Sequence, residues 1–276
     1  MARPTITLIT DFGTTDGFVG VLKGVILGIN PSATIIDITH EVPPQSILAG
    51  AFIFGTVHRY FPAGTVHLVV VDPGVGTSRR PILVIGPHAC YVAPDNGVLS
   101  YLFPEAKVPS APGAAFTPIQ ISLPEGWHAY HLTNSHYWRH PVSSTFHGRD
   151  VFASVAAYLS NGVQADSMGD PLETITAFTI PAPVVGGGTL FGCTLYTDHY
   201  GNLITNFTAA DLPQPATKVT VHIAGRAIKG MAASYQDADL VALIGSHGYL
   251  EVAARNGNAA KLLGVSAGGE VTVTMG

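Results

Sequence analysis

The fold is decided by one stretch, which runs Val69-Val70-Val71-Asp72-Pro73-Gly74-Val75-Gly76-Thr77-Ser78-Arg79-Arg80. Its opening run of β-branched residues predicts a buried strand. The strand ends at Asp72, a position at which open α/β sheets place their ligands. Two arginines follow in the same loop and give it charges of both signs. The segment alone also fits a simpler interpretation, in which Asp72 caps a turn and both arginines are solvated.

The segments before and after this stretch alternate between strand and helix patterns. Periodicity predicts strands at Thr5–Thr10, Thr34–Ile38 and Thr65–Val71, and helices from Asp16 to Ile29 and from Ser46 to Tyr60. This β-α-β-α-β order predicts a parallel sheet with right-handed crossovers. Further elements are expected as strands at Ile82–Ile85 and Ala89–Val92 and a helix over Asp150–Leu159.

The composition of the chain changes near Ile180. The Pro- and Gly-rich stretch 181–188 is typical of a linker. Short alternating strands separated by turn residues follow, which predicts a small antiparallel β domain. Those strands are expected at Thr189–Tyr196, Lys218–Ile223, Leu240–Ile244, Tyr249–Ala253 and Glu270–Thr274. We therefore expect an α/β catalytic domain over 1–180, a linker over 181–188 and a β domain over 189–276.

The composition limits the classes of function. The chain has 276 residues, of which 47% are hydrophobic and 11% charged, and its formal net charge is −5. This balance argues against disorder and against general nucleic-acid binding, and it suggests that apolar surface is buried between subunits. Cys90 and Cys193 lie far apart, outside any metal-ligand spacing, which favours a reduced, cytoplasmic protein. We expect no signal peptide and no membrane span.

Polar clusters lie at the predicted strand ends and loops. They are Asp11 with Asp16, His40-Glu41, Asp72 with Arg79-Arg80, Asp95-Asn96 and His147-Gly148-Arg149-Asp150. Because the carboxyl ends of parallel strands meet at one edge of a sheet, these clusters predict a shared pocket. Asp150 is expected to cap the following helix, with Arg149 paired to an acid and His147 directed at the pocket.

Taken together, the motifs resemble those of the S-adenosylmethionine hydrolase family, also called S-adenosylmethionine hydroxide adenosyltransferases, which is related to fluorinase and chlorinase. The ordered motifs are Thr10-Asp11-Phe12-Gly13, Gly20-Val21-Leu22-Lys23-Gly24, Asp37-Ile38-Thr39-His40, Phe61-Pro62-Ala63-Gly64-Thr65-Val66, the Asp72 loop, Pro94-Asp95-Asn96-Gly97, Thr145-Phe146-His147-Gly148-Arg149-Asp150, Asp198-His199-Tyr200-Gly201-Asn202-Leu203 and Asn256-Gly257-Asn258-Ala259-Ala260. The resemblance implies an amino-terminal αβα domain with a mostly parallel sheet and a small antiparallel, β-barrel-like carboxyl-terminal domain.

The resemblance also implies a reaction and a catalytic trio. Water attacks the ribose 5′ carbon of S-adenosylmethionine, and adenosine and L-methionine are released without a metal or cofactor. The trio matches Asp72, Arg79 and His147; halogenating relatives carry tyrosine at the Asp72 position and lack the histidine. We expect His147, oriented by Asp72, to take the proton while Arg79 holds the water, although the sequence leaves Arg80 open for that role.

Substrate-binding residues follow from the same resemblance. Asp11 is expected to bind the ribose hydroxyls, with Phe146 and Gly148 beside the ribose, Asp198 and Ser246 to bind the methionine amino group, Asn202 to bond the adenine and Tyr200 to stack on it. The family implies a homotrimer whose site lies between subunits. Two departures concern the methionine and adenine contacts: His247 replaces an arginine of the fluorinase-like relatives, and Ala254-Arg255 replaces a Val-Asn-like pair.

Three alternative functions remain open at this point. The first is a halogenase of the same fold, against which Asp72 and His147 argue. The second is a sensor that binds S-adenosylmethionine or a nucleoside without turnover. The third is a metal hydrolase that uses the histidine-rich segment between His128 and His140, although Asn134-Ser135 interrupt that segment and it lacks helical apolar periodicity.

Overall fold

The computed structural model describes residues 4–109, 116–215 and 218–275. They form two compact units. Unit 1 comprises Met1–Ala106 and Pro118–Phe178, and unit 2 comprises Lys107–Thr117 and Thr179–Gly276. No helix of the described part of the chain is long and apolar enough to cross a membrane.

Strands are numbered along the whole chain. The bounds are β1 Thr5–Thr10, β2 Thr34–Thr39, β3 Thr65–Val70, β4 Pro81–Ile85, β5 Ala89–Pro94, β6 Lys107–Pro109, β7 Pro118–Ser122, β8 His128–His131, β9 Asp170–Leu172, β10 Thr174–Phe178, β11 Ile180–Ala182, β12 Val184–Gly186, β13 Thr189–Thr197, β14 Leu203–Thr208, β15 Val219–Ile223, β16 Arg226–Lys229, β17 Leu240–Ile244, β18 Tyr249–Ala254 and β19 Glu270–Met275.

Unit 1 is built on a seven-stranded sheet of order β2-β1-β3-β5-β4-β8-β9. The pairs from β2 to β5 are parallel, and those from β5 through β4 and β8 to β9 are antiparallel. Every residue of β3 is buried, as its β-branched run predicts. The parallel half brings the ends of β1, β2 and β3 to one edge, where the polar clusters lie.

Helices α1 (Phe18–Ile29), α2 (Ile47–Val57) and α3 (Ser154–Ser160) also belong to unit 1. The apolar periodicity that predicts α1 is only partly buried within the chain: Leu22 and Ile26 are buried, whereas Phe18 and Val21 are 46% and 43% exposed. A short 3₁₀ segment, His58–Tyr60, continues α2, so the predicted helix to Tyr60 changes type in its last turn.

Unit 2 is an antiparallel β structure. Its sheet has the order β16-β15-β19-β13-β14-β18-β17, with β12 paired to β13. Strand β13 connects the two halves because it pairs with β19 at its start and with β14 towards its end. The enclosed core includes Phe207, Leu250 and Val273, all fully buried. The described part of unit 2 contains one α-helix, α4 (Ala259–Leu263).

The predicted fold class is therefore confirmed: an α/β unit with a mostly parallel sheet precedes a nearly closed antiparallel unit. Within the stretch 181–188, which the sequence predicts as a linker, the short strands β11 and β12 pair with β6 and β13. The expected helix over Asp150–Leu159 begins as a π-helical segment at Gly148–Ala153 before α3. Asp150 lies inside that segment, so the prediction that it caps the helix is wrong.

Candidate active site

Asp72 and Arg79 form a buried ion pair at the end of β3. Arg79 Nε donates to Asp72 Oδ1 at 3.0 Å, and Nη2 donates to Oδ2. The side chains are 5% and 7% exposed. Burial raises the pKa of Asp72, and the guanidinium of Arg79 opposes that rise. The two bonds make a bidentate contact, which fixes the plane of the guanidinium.

The loop that carries this pair is held by short-range contacts. Val75 N–H donates to the Asp72 carbonyl at 3.2 Å, and Thr77 Oγ1 donates to the Gly74 carbonyl at 2.7 Å. Gly76 adopts φ of +77°, and a Cβ there would lie 2.3 Å from the Ser144 carbonyl oxygen. Only glycine fits this close approach between the Asp72 loop and the segment before His147.

His147 lies next to the guanidinium. Its Nδ1 is 3.4 Å from Arg79 Nη2. Burial and the charge of Arg79 lower the pKa of His147 below its ordinary value of 6.5, although Asp72 and Asp150 oppose this. The imidazole is therefore neutral near pH 7 and able to accept a proton. Arg79 lies between Asp72 and His147, so the expected orientation of His147 by Asp72 acts through the arginine.

Arg80 points to a different partner. Its Nε donates to Asp95 Oδ2 at 2.8 Å, and its Nη2 contacts the Thr174 carbonyl at 3.3 Å. Asp95 also accepts from the Thr176 backbone N–H at 2.6 Å. Arg80 thus ties β5 to β10, and Arg79 is the arginine beside Asp72 and His147.

Asp11 follows β1 and is held by the neighbouring loops. Its Oδ2 accepts from the Gln45 backbone N–H at 2.8 Å. His40, which is 5% exposed, accepts at its carbonyl from Gly13 N–H at 2.8 Å and contacts Thr10 Oγ1 through Nδ1 at 2.8 Å. Its Nε2 lies 3.1 Å from Asp37 Oδ1. The ends of β1 and β2 are thereby joined, and the carboxylate of Asp11 is presented at the edge of the sheet.

Three aromatic rings pack beside Asp11. The ring centroids of Phe12 and Phe146 are 5.7 Å apart, and those of Phe18 and Phe146 are 5.3 Å apart, both edge to face. A Cβ on Gly148 would lie 3.0 Å from Phe12 and 3.3 Å from Phe146. Glycine at this position therefore lets the rings approach the backbone that follows His147.

Asp150 anchors the same segment from the interior. It is fully buried, and its carboxylate accepts from Arg149 Nε at 2.6 Å and from Ser143 N–H at 2.8 Å. Burial alone raises the pKa of Asp150, but these bonds and the arginine charge hold it below its ordinary value. The π-helical segment therefore begins at a fixed position, which places His147 directly before it.

In unit 2, Asp198 and Asn202 close a tight turn. The Asn202 backbone N–H donates to Asp198 Oδ1 at 2.8 Å, and Asn202 Nδ2 donates to Oδ2 at 2.9 Å. Gly201 has φ of +85°, and a Cβ there would lie 2.1 Å from the Asn258 side chain. Asn202 is 8% exposed, while Tyr200 is 75% exposed. The turn exposes the ring of Tyr200. The side-chain oxygen of Asn202, Oδ1, takes no part in these two bonds.

This turn borders a cavity of about 510 Å³ in unit 2. The four unit 2 residues expected from the sequence all line it: Asp198, Tyr200, Asn202 and Ser246. Two lining residues were missed, Tyr235 and Glu251. The Tyr235 hydroxyl donates to Glu251 Oε2 at 3.0 Å, and burial raises the pKa of Glu251. An acid flanked by Leu250 and Val252 within a predicted strand was the available signal for a buried carboxylate.

The histidine-rich segment is dispersed in the structure. His128 and His131 lie on β8, while His140 contacts the Ser135 carbonyl through Nε2 at 2.8 Å. Within residues 4–109, 116–215 and 218–275, no group of three His, Cys, Asp or Glu side chains has a geometry that holds a metal ion. Tyr137 and Trp138 instead pack against the core of unit 1.

In unit 1, a buried parallel strand thus leads into a buried carboxylate–arginine pair that lies beside a histidine. The model of the SAM hydroxide adenosyltransferase N-terminal domain matches residues 6–169, and that of the C-terminal domain matches residues 192–272. The chain belongs to the SAM hydroxide adenosyltransferase family.

Similar proteins span the whole chain. An (R)-S-adenosyl-L-methionine hydrolase of Salinispora tropica is 35% identical, over 99% of this chain and 98% of that protein. A fluorinase of Actinoplanes sp. is 28% identical, over 99% and 98%. The crystal structure of an uncharacterized conserved protein from Thermotoga maritima has a TM-score of 0.82 at 34% identity and covers 98% of this chain and 99% of that one.

Proposed function

We propose that this protein hydrolyses S-adenosyl-L-methionine to adenosine and L-methionine. The observation that carries the proposal is the arrangement of Asp72, Arg79 and His147, in which a buried ion pair holds a guanidinium next to a neutral imidazole. The curated relatives named (R)-S-adenosyl-L-methionine hydrolase support it and favour the (R) sulfonium epimer as substrate.

In the proposed reaction, a water oxygen attacks the ribose 5′ carbon in line with the sulfur. The C5′–O bond forms while the C5′–S bond breaks, and its electron pair stays on sulfur, so methionine leaves as a neutral thioether. One water proton must be removed, because bulk water has a pKa near 15.7 and is a weak nucleophile. The sulfonium charge disappears in the same step, which a water-poor site favours.

Arg79 and His147 have different proposed roles towards that water: Arg79 binds it, and His147 accepts its proton. A guanidinium only donates hydrogen bonds, so Nδ1 of neutral His147 presents its lone pair towards Arg79. We infer that a water bound to Arg79 replaces Nη2 as the partner of the Nδ1 lone pair, and passes its proton to Nδ1 as the C5′–O bond forms. Asp72 orients the guanidinium and keeps the charge of the pair balanced. The proposed chemistry is complete with these three side chains and requires no metal or cofactor.

The remaining site residues are proposed as binding groups. In unit 1, Asp11 would accept from the ribose hydroxyls, with Phe146 and Gly148 beside the ribose. In unit 2, Asp198 and Ser246 would bind the methionine amino group, while Asn202 and Tyr200 bind the adenine. The shared cavity of the four unit 2 residues supports a common ligand. The catalytic domain is proposed to span 1–180 and the β domain 189–276.

The homotrimer implied by the family is likewise a proposal. Large exposed apolar side chains support an assembly: Phe18, Val21, Tyr60, Val185, Tyr200 and Leu262 are each at least 43% exposed. Light scattering on the purified protein tests the mass, and a monomer in the active fractions would contradict it.

The test of the proposed function is product analysis. Purified protein incubated with S-adenosylmethionine should release adenosine and methionine in equal amounts, and His147→Ala should release far less. Fluorinase relatives make halide transfer the competing reaction, so parallel incubations contain chloride or fluoride. A 5′-halogenated deoxyadenosine in place of adenosine would contradict the proposal, as would tight binding without any product.

A further inference from the structure

A second cavity borders the catalytic pair within unit 1. Its volume is about 360 Å³, and both Arg79 and His147 line it. Its remaining polar lining comes from Thr77, Ser78, His131 and Thr133, with Trp138 on the wall. Thr77, Ser78 and Thr133 are exposed, so the cavity leads from solvent to the two side chains proposed to handle the attacking water.

This cavity is separate from the residues proposed to hold the ribose. Asp11, Phe146 and Gly148 do not line it, whereas the proposed catalytic residues Arg79 and His147 do. A displacement at carbon needs its nucleophile on the side opposite the leaving sulfur. Water that enters through this cavity reaches Arg79 without passing the residues proposed to bind the ribose.

Two of the residues that line the cavity each carry a buried donor. Arg79 Nη1 is buried and has no hydrogen-bond partner among the described residues, although Nε and Nη2 of the same group are bonded to Asp72. The indole Nε1 of Trp138 is also buried without a partner in that part of the chain. A buried donor without an acceptor costs roughly 1–3 kcal/mol, and water in a polar cavity is the usual remedy.

The volume and the chemistry both fit water. Each water in the liquid occupies about 30 Å³, so the cavity has room for several molecules. Its lining combines donors with hydroxyl groups and a second imidazole, His131, and buried waters typically make about three hydrogen bonds each.

We propose that this cavity supplies the water that attacks the substrate, with Arg79 Nη1 as the inner binding point, and that the released proton leaves His147 through the same waters. The proposal rests on the proposed function. Water enters, its oxygen is transferred to C5′, one proton stays on that oxygen in adenosine, and the other passes from His147 to bulk solvent.

Blocking the mouth tests the proposal. Ser78→Leu and Thr133→Leu replace small polar side chains with larger apolar ones, and the matched control Ser32→Leu makes the same change at an exposed loop position outside the cavity. We expect the two mouth variants to lose at least tenfold in kcat with KM for S-adenosylmethionine within twofold of wild type. The D₂O effect on kcat should increase, because water passage and proton release then limit turnover.

The outcomes separate the two proposals. If wild type releases no adenosine, the proposed function fails, and this inference fails with it. If wild type is active but both mouth variants keep the wild-type kcat, the cavity does not supply the water. A raised KM with unchanged kcat would assign the cavity to the substrate and also overturn the inference.

A second measurement requires no variant. A high-resolution crystal structure of wild type with adenosine bound should contain an ordered water within hydrogen-bond distance of Arg79 Nη1, continuous with waters at Thr133. A dry cavity in that complex would contradict the proposal even if the leucine variants failed to fold.

Discussion

Arg79 binds both carboxylate oxygens of Asp72, through Nε and Nη2, and this leaves one edge of the guanidinium for other partners. The aromatic ring of Phe152 lies 5.2 Å from the guanidinium carbon and limits its tilt. The arginine is thus fixed before any ligand arrives. Preorganised donors of this kind stabilise charge in a transition state without reorganisation at the moment of reaction.

Arg79→Lys should lower kcat by roughly 100-fold or more, because lysine cannot bind the carboxylate in a bidentate manner and also present a donor to water. KM should change little. The adjacent arginine provides the control, since Arg80 binds Asp95 away from His147. Arg80→Lys should cost stability in thermal unfolding while kcat stays near wild type. Equal losses of kcat in the two variants would contradict the proposal that Arg79, and not Arg80, acts on the water.

Asp72→Asn keeps the shape of the side chain but removes its charge. The Asp72 charge raises the pKa of His147, whereas burial and Arg79 lower it. The variant should lower kcat strongly, because the guanidinium of Arg79 loses its charged partner. It should also move the acid limb of the pH–rate profile to lower pH, because the charge that raises the pKa of His147 is gone. Steady-state kinetics across pH measures both effects. A variant that loses affinity and keeps turnover would place Asp72 in substrate binding instead.

The pH dependence of wild type follows from the state of His147. Its pKa lies below 6.5 in the fold, and only the neutral form accepts a proton. The rate kcat/KM should rise with pH through a pKa below 6.5 and be level at neutral pH. His147→Asn should lose this limb together with most of the activity. A wild-type limb above pH 7 would contradict the neutral-base mechanism.

Gly148→Ala should raise KM with a smaller effect on kcat. The added methyl group would lie 3.0 Å from Phe12 and 3.3 Å from Phe146, so the rings proposed to lie beside the ribose must move. Gly28→Ala is the matched control, because a Cβ at this helical position meets nothing within 4 Å. It should be stabilising by about 0.5–1 kcal/mol through helix propensity. Isothermal titration with adenosine separates the binding effect from stability.

Stability should fall in acid because of a core histidine that is not used in catalysis. His67 is 1% exposed, contacts Thr7 Oγ1 through Nδ1 at 2.7 Å, and burial lowers its pKa to about 4. The unfolded chain binds the proton at its ordinary pKa of 6.5. The stabilisation is thus complete above 6.5 and is lost as pH falls from 6.5 towards 4, by up to about 3 kcal/mol.

Urea unfolding at several pH values checks this dependence. The free energy of unfolding of wild type should decrease more steeply between pH 6.5 and 4 than that of His67→Phe, which keeps an aromatic ring but cannot titrate. Parallel slopes for the two proteins would show that His67 is not the group responsible.

The fold was predictable where periodicity and turn residues agreed. The β-branched run before Asp72 and the alternation of strand and helix patterns predicted the parallel half of unit 1. Short elements such as β9 and β12 were missed because three-residue strands carry too little pattern and depend on pairing partners distant in sequence. The short strands in the Pro- and Gly-rich stretch after Ile180 were missed for the same reason, since their pairing with β6 and β13 is tertiary.

Some residues of the candidate site were also predicted from the sequence, and others were not. The resemblance placed Asp72, Arg79 and His147, and geometry then distinguished Arg79 from Arg80, which no spacing argument separates. Glu251 was missed although its apolar strand neighbours were a signal, and the second cavity was not predictable, because the space behind a guanidinium depends on side chains from several elements. The capping role assigned to Asp150 failed because a π-helical segment places its carboxylate in the interior.

The most direct test of the central claim is the fate of oxygen from water. Purified protein is incubated with S-adenosylmethionine in ¹⁸O-labelled water in the presence of a chelator, and the products are analysed by mass spectrometry. The mechanism predicts adenosine with one heavy oxygen at its 5′ position, together with unlabelled methionine. Unlabelled adenosine, or methylthioadenosine accompanied by labelled homoserine, would contradict attack of water at C5′ by Arg79 and His147.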